Sequence, residues 1–121
     1  MGFLQALREL SVERCERYFF PLNAWSVLEW AGAAAGEAGE TANVAKKMRR
    51  YDVQVARGTN SKAVKGDAAK RAKRREQLAE EVADTVIYLD LLCASEGIDL
   101  EEAIRAKFNK VSEEHGYEKR L

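Results

Sequence analysis

Two pairs of carboxylates set the chemistry open to this chain. Glu37 and Glu40 lie in Gly36-Glu37-Ala38-Gly39-Glu40, and Glu81 and Asp84 lie in Glu80-Glu81-Val82-Ala83-Asp84. Each pair is spaced i, i+3, which puts both acids on one face of a helix. Two such faces turned toward each other gather four carboxylates at one point. In a half-buried place that cluster is costly, because like charges repel and each has lost water. Protonation relieves it, and so does a hard divalent cation. An all-oxygen donor set suits Mg²⁺ or Mn²⁺. Magnesium held by carboxylates keeps positions for water and phosphate oxygens, so hydrolysis at phosphorus is the chemistry indicated. Either pair alone is ordinary for a solvated helix face. Together, one pair among small residues and the other beside an apolar stripe, they favour a metal site.

Other chemistries lack their residues. The di-iron bundle needs Glu-x-x-His on two helices. The only histidine is His115, and position 112 is Ser. With that single His near the C-terminal end there is no nucleophile elbow for a hydrolytic triad, and there is no P-loop. Cys15 and Cys93 form no CxxC pair and sit among apolar neighbours, which reads as small buried hydrophobes in a reducing, cytoplasmic setting.

Helices must position the acids. Phe3, Leu4, Leu7, Leu10 and Cys15 recur at helical spacing and predict a helix over about 3–17. Pro21 ends that run within the aromatic turn Tyr18-Phe19-Phe20. Ser26, with Glu29 three residues on, is a capping box opening a second helix over 26–50. That helix carries Gly32, Gly36 and Gly39, each costing about 0.5–1 kcal/mol relative to alanine. Close approach of another helix, or room for a ligand, would give them a purpose. A third helix over 69–95 carries the stripe Leu78, Val82, Val86, Leu89 and Cys93, and Gly97 stops it. Asp99, followed by Glu102, opens a fourth helix over 100–115, with Leu100, Ala103, Ile104, Phe108 and Val111 inward. No strand alternation occurs. The expected fold is all-α, a four-helix-bundle type of subunit, with a single domain over 1–121.

Twenty basic and twenty acidic residues balance to zero net charge, which gives no case for bulk attraction to nucleic acid or membrane. No apolar run is long enough to span a bilayer, and the first ten residues show neither a signal-peptide core nor an acylation signal. Cations cluster from Lys46 to Arg75, and about 52–68 reads as a mobile basic loop. Lys46 and Lys47 follow Glu40 by two turns, where they would offset the charge of a triphosphate.

The run Trp25-Ser26 … Trp30-Ala31 … Ala34-Ala35-Gly36-Glu37-Ala38-Gly39-Glu40 … Asn43 … Lys46-Lys47, then Glu80-Glu81-Val82-Ala83-Asp84-Thr85-Val86-Ile87-Tyr88-Leu89, then Gly97-Ile98-Asp99-Leu100, resembles the MazG-like all-α nucleoside triphosphate pyrophosphohydrolases. The likeness spans about 18–117, and the ending Lys107-Phe108-Asn109-Lys110-Val111-Ser112 is similar to the single-domain phage and bacterial branch. The resemblance implies Mg²⁺-dependent cleavage of a nucleoside triphosphate, a deoxynucleoside triphosphate foremost, between the α and β phosphates to monophosphate and pyrophosphate. It implies Glu37, Glu40, Glu81 and Asp84 as metal ligands and catalytic residues, and Tyr88, Lys47, Lys107, Asn109 and Trp30 at the substrate. It also implies a homodimer or homotetramer with sites between subunits. Helix geometry alone lets Glu80 stand in for Glu81, and the resemblance decides for Glu81. Two departures stand out: the basic insert lengthens the gap between the acidic pairs, and the aromatic-Pro turn lacks a histidine. Phosphoribosyl-ATP is the alternative substrate within the superfamily. A helical interaction module using its basic segment on nucleic acid or protein is the alternative of another class.

Overall fold

The structure, a computed structural model, describes residues 1–58 and 62–121, and side chains outside 59–67. Four helices follow in order: α1 (Phe3–Tyr18), α2 (Val27–Ala56), α3 (Lys62–Ser95) and α4 (Leu100–Glu114), with one 3₁₀ turn at Leu22–Ala24. There is no strand among the described residues, and the fold is all-α.

The local signals do what their chemistry dictates. The Ser26 amide donates to Glu29 Oε2 at 2.6 Å and the Glu29 amide donates to Ser26 Oγ at 3.3 Å, so the capping box is closed in both directions. Asp99 Oδ1 accepts from the Glu102 amide at 3.0 Å and opens α4. Gly97 takes φ +67°, a left-handed turn that lets the Ile98 amide reach Cys93 O at 2.8 Å and finish α3.

The α2–α3 junction departs from expectation. Most of the anticipated loop over 52–68 is helix: α2 continues to Ala56 and α3 begins at Lys62. Thr59–Ser61, the centre of that loop, lies outside the described residues. The extra turns are held by Arg71, whose guanidinium grips the Asp52 carboxylate at 2.7 and 3.2 Å. Tyr51 and Val53 are half-buried there.

The chain divides into two compact units. The first comprises Met1–Ala31 and Leu89–Leu121. Its centre is Trp30, 1% exposed, packed on Phe20 and Trp25 with ring centroids 6.0 and 4.7 Å away. The indole Nε1 donates to Leu22 O at 3.3 Å. Cys15 and Leu91 complete this core, and Asp90 is buried beside it, gripped by Arg8. The second unit, Gly32–Tyr88, is the α2–α3 hairpin. Asp52 meets Arg71 while Glu37 meets Glu81, so numbers rise on one helix as they fall on the other and the pair is antiparallel. Its buried apolar residues are Ala34 and Val44.

Three packing expectations are corrected. The α3 stripe does not face inward: Val82, Val86 and Leu89 are exposed, while Leu78, Glu81, Thr85, Tyr88 and Leu92 form the half-buried face. On α4, Ala103, Ile104, Phe108 and Val111 are exposed, and Arg105, Asn109 and Ser112 turn inward. Gly32, Gly36 and Gly39 face open space, with no neighbouring helix near any of them.

Candidate active site

The inward face of α3 explains how the acids meet. Glu81 lies three residues after Leu78 and four before Thr85 on that face, so packing α3 against α2 carries the Glu81 carboxyl toward Glu37. Carboxylate oxygens of Glu37, Glu81 and Asp84 lie within 4.8 Å of one another, with Glu37 and Glu81 half-buried and Asp84 exposed. Glu40 is exposed, one turn beyond Glu37, and lies outside this trio. Its charge still reaches Glu81. Glu80 is exposed and lies outside the trio, whereas Glu81 is one of its members.

The Glu81 carboxyl is held above the usual glutamate range. Lost hydration is the largest cause, followed by its hydrogen bond with Glu37, then the negative charges of Glu37, Glu40 and Asp84. Three all-oxygen donors within reach of one another fit a hard divalent ion.

The sign of the pH dependence follows. Because the folded pKa of Glu81 is raised, its contribution to stability is full below the unfolded pKa and is lost as pH rises through the folded one. Asp52 runs the other way. Its hydrogen bond from Arg71 holds it below the usual aspartate range, so its contribution is present above the unfolded pKa and fades only as pH falls below it. Thermal melts in EDTA from about pH 4.5 to about pH 7.5 are expected to show wild type losing stability relative to Glu81→Gln as pH rises. Saturating Mg²⁺ should reverse that order at the upper end, and an unchanged difference across the range would refute the coupling.

The other expected site residues are divided between the two units. Tyr88 follows Asp84 by one turn and is half-buried on the Glu81 face. Lys47 lines a basic cleft further along the hairpin. Trp30 is in the core of the first unit, where Phe20 and Trp25 pack against its ring, and it offers no face to a base. Lys107 and Asn109 lie on α4, in that same unit. The Asn109 side chain is engaged by the chain end, accepting from the Leu121 amide at 2.9 Å and donating to its carbonyl at 3.4 Å.

The fold is all-α, and it brings three acids of one hairpin within reach of one another. Over 66 residues the chain is 39% identical to the phosphoribosyl-ATP pyrophosphatase of Metallosphaera sedula, an alignment covering 54% of this chain and 68% of the relative. The chain belongs to the phosphoribosyl-ATP pyrophosphatase family. No family model matches it, and no solved structure matches it significantly. The relative thus carries the superfamily resemblance seen in the motifs, without singling out the MazG branch.

Proposed function

We propose that the protein hydrolyses the bridge between the α and β phosphates of a nucleotide, releasing pyrophosphate and leaving a monophosphate. The observation that carries this reading is the carboxylate trio Glu37, Glu81 and Asp84 in a chain of this family. The relative acts, by its name, on phosphoribosyl-ATP. That brings phosphoribosyl-ATP ahead of plain ribo- and deoxynucleoside triphosphates as the first substrate to assay.

In this reading the trio, with Glu40 at its edge, would hold a divalent ion, Mg²⁺ or Mn²⁺, which would supply positive charge to the phosphoryl oxygens. Glu40, one turn beyond Glu37 with its carboxylate exposed, would accept the proton of an attacking water. The water oxygen bonds to phosphorus, the bridging P–O bond breaks, and pyrophosphate leaves with the bridging oxygen. Tyr88, half-buried on the same face as Glu81, would contact the substrate in this reading. Pyrophosphate release from phosphoribosyl-ATP and from a panel of nucleoside triphosphates, with and without Mg²⁺, tests the proposal. Silence across the panel sinks it.

The working unit in this proposal is a homo-oligomer. Val82 and Val86 are 47% and 39% exposed on the turn next to Glu81. Leu28, 78% exposed, precedes the open face of Gly32, Gly36 and Gly39 on α2. In this proposal a second copy of the chain covers both surfaces. A standard interface removes about 800 Å² per partner, within reach of two such helix faces. Light scattering is expected to show a dimer or tetramer, and Val82→Glu with Val86→Glu should shift it to monomer. A wild-type monomer at high concentration would refute the assembly. No helix among the described residues is long and apolar enough to cross a membrane.

A further inference from the structure

The hairpin that carries the acids continues into a cleft of opposite sign. It has a volume of about 170 Å³ and lies wholly within the second unit. From α2 come Lys47, Arg50, Tyr51 and Gln54, and from α3 come Lys70, Arg71 and Arg74. No acidic side chain among the described residues lines it. Arg71 is engaged by Asp52, which leaves the cleft strongly positive all the same. An anion is the ligand such a lining selects, and guanidinium groups match phosphate oxygens in shape as well as charge.

The position of the cleft narrows which anion. Glu40, Lys47, Tyr51 and Gln54 follow one another at steps of seven, four and three residues, so they share a face of α2. Lys70, Arg74, Gln77 and Glu81 do the same on α3, at steps of four, three and four. Acids and cations therefore line one track. At 1.5 Å per residue, Lys47 is about 15 Å beyond Glu37 along α2, and Arg74 is about 10 Å beyond Glu81 along α3. The γ-phosphate of a nucleoside triphosphate sits a single anhydride link past the β-phosphate and falls short of that distance. A phosphate carried on a second ribose spans it. The volume agrees: at about 30 Å³ per water, the cleft has room for about six waters, enough for a phosphate and its sugar carbons but not a whole nucleotide.

We propose that this cleft is a phosphomonoester subsite, which takes the ribose 5-phosphate end of the substrate while the scissile anhydride lies on the acids. It rests on the pyrophosphohydrolase reading for its second half only, since the cleft binds its phosphate without hydrolysis. Arg50 and Arg74 grip the phosphate oxygens, and Tyr51 and Gln54 supply neutral hydrogen bonds.

The test uses the full chain in two arms. Calorimetry in EDTA at low salt measures binding of ribose 5-phosphate, with inorganic phosphate and pyrophosphate as competing sources of the same chemistry. Ribose 5-phosphate is expected to bind more tightly than either, and Arg50→Gln with Arg74→Gln should weaken it about tenfold or more for two charge-assisted contacts. Equal binding to wild type and the double variant, tighter binding of pyrophosphate, or no binding overturns the subsite. The second arm compares kinetics. The double variant should raise KM for phosphoribosyl-ATP with kcat nearly unchanged, and raise KM for ATP far less. An equal rise for both nucleotides overturns the subsite, because it assigns the cleft to the triphosphate. Absence of turnover on either nucleotide defeats the hydrolase reading alone, and the calorimetry still decides the cleft. Retention of the helical far-ultraviolet spectrum separates lost binding from lost folding.

Discussion

Glu81→Gln is expected to lose activity on the order of 10²-fold or more, the scale at which removal of one charge-positioning group is felt at a reacting centre. The same substitution should abolish saturable Mg²⁺ binding by calorimetry. The reasons lie in geometry and charge together. Burial pushes the Glu81 carboxyl up, and its hydrogen bond with Glu37 and the charges of Glu37, Glu40 and Asp84 add to that. Glutamine keeps the shape and removes one negative charge, so the protein itself gains stability when metal-free, because the repulsion is gone. Asp84→Asn should follow the same pattern with a smaller gain in stability, since Asp84 is exposed. Glu80→Gln is the control on the neighbouring position. It should keep metal binding and turnover within about twofold, as surface substitutions away from special features generally do. A Glu80→Gln enzyme as dead as Glu81→Gln would overturn the assignment of Glu81.

How far the residues foretold this site depends on which interaction each one obeys. Local interactions were readable. The Ser26–Glu29 box and the Asp99 cap form within four residues, and the acid pairs share a face because a helix repeats every 3.6 residues. Orientation of each helix about its own axis was less so. The apolar stripe of α3 suggested burial of Val82, Val86 and Leu89, yet the helix buries the face about a quarter turn away, which carries Glu81 and Tyr88. An apolar stripe says which surface avoids water. It does not say whether the cover comes from the same chain or another copy. The choice between Glu80 and Glu81 turned on the same rotation and needed the packed hairpin. Trp30 carries a different ambiguity: a tryptophan reads the same in the sequence whether it stacks on a base or, as its ring does here, packs on Phe20. The helical continuation through 52–56 and 62–68 depended on a pairing nineteen residues apart, Asp52 with Arg71, which no local window contains.

Arg8→Ala is expected to destabilise the protein by about 3–5 kcal/mol, because it strands a charge in the interior. Asp90 is 1% exposed, and Arg8 meets both of its oxygens: Nε donates to Oδ1 and Oδ2 at 3.1 Å each, and Nη2 donates to Oδ1 at 2.8 Å. The same Nη2 donates to Ile98 O at 2.9 Å. One guanidinium thus ties α1 to α3 and to the turn before α4. The ion pair is not thereby a large net source of stability, since both charges lost water to form it. What it fixes is the placement of α1. Hydrogen bonding to Asp90 raises the Arg8 pKa, so the guanidinium stays charged at any pH where the protein is folded. Arg8→Lys should recover only part of the loss, since an ammonium is a point donor that cannot span two carboxylate oxygens and a carbonyl as the planar fork does. Arg8→Met with Asp90→Leu should lie close to wild type in urea midpoint, because it removes both buried charges at once. If that double variant unfolds as readily as Arg8→Ala, the loss is one of packing by the Arg8 stem rather than of a stranded charge. If it does not, the pair is a device for fixing the register of three elements around the buried carboxylate.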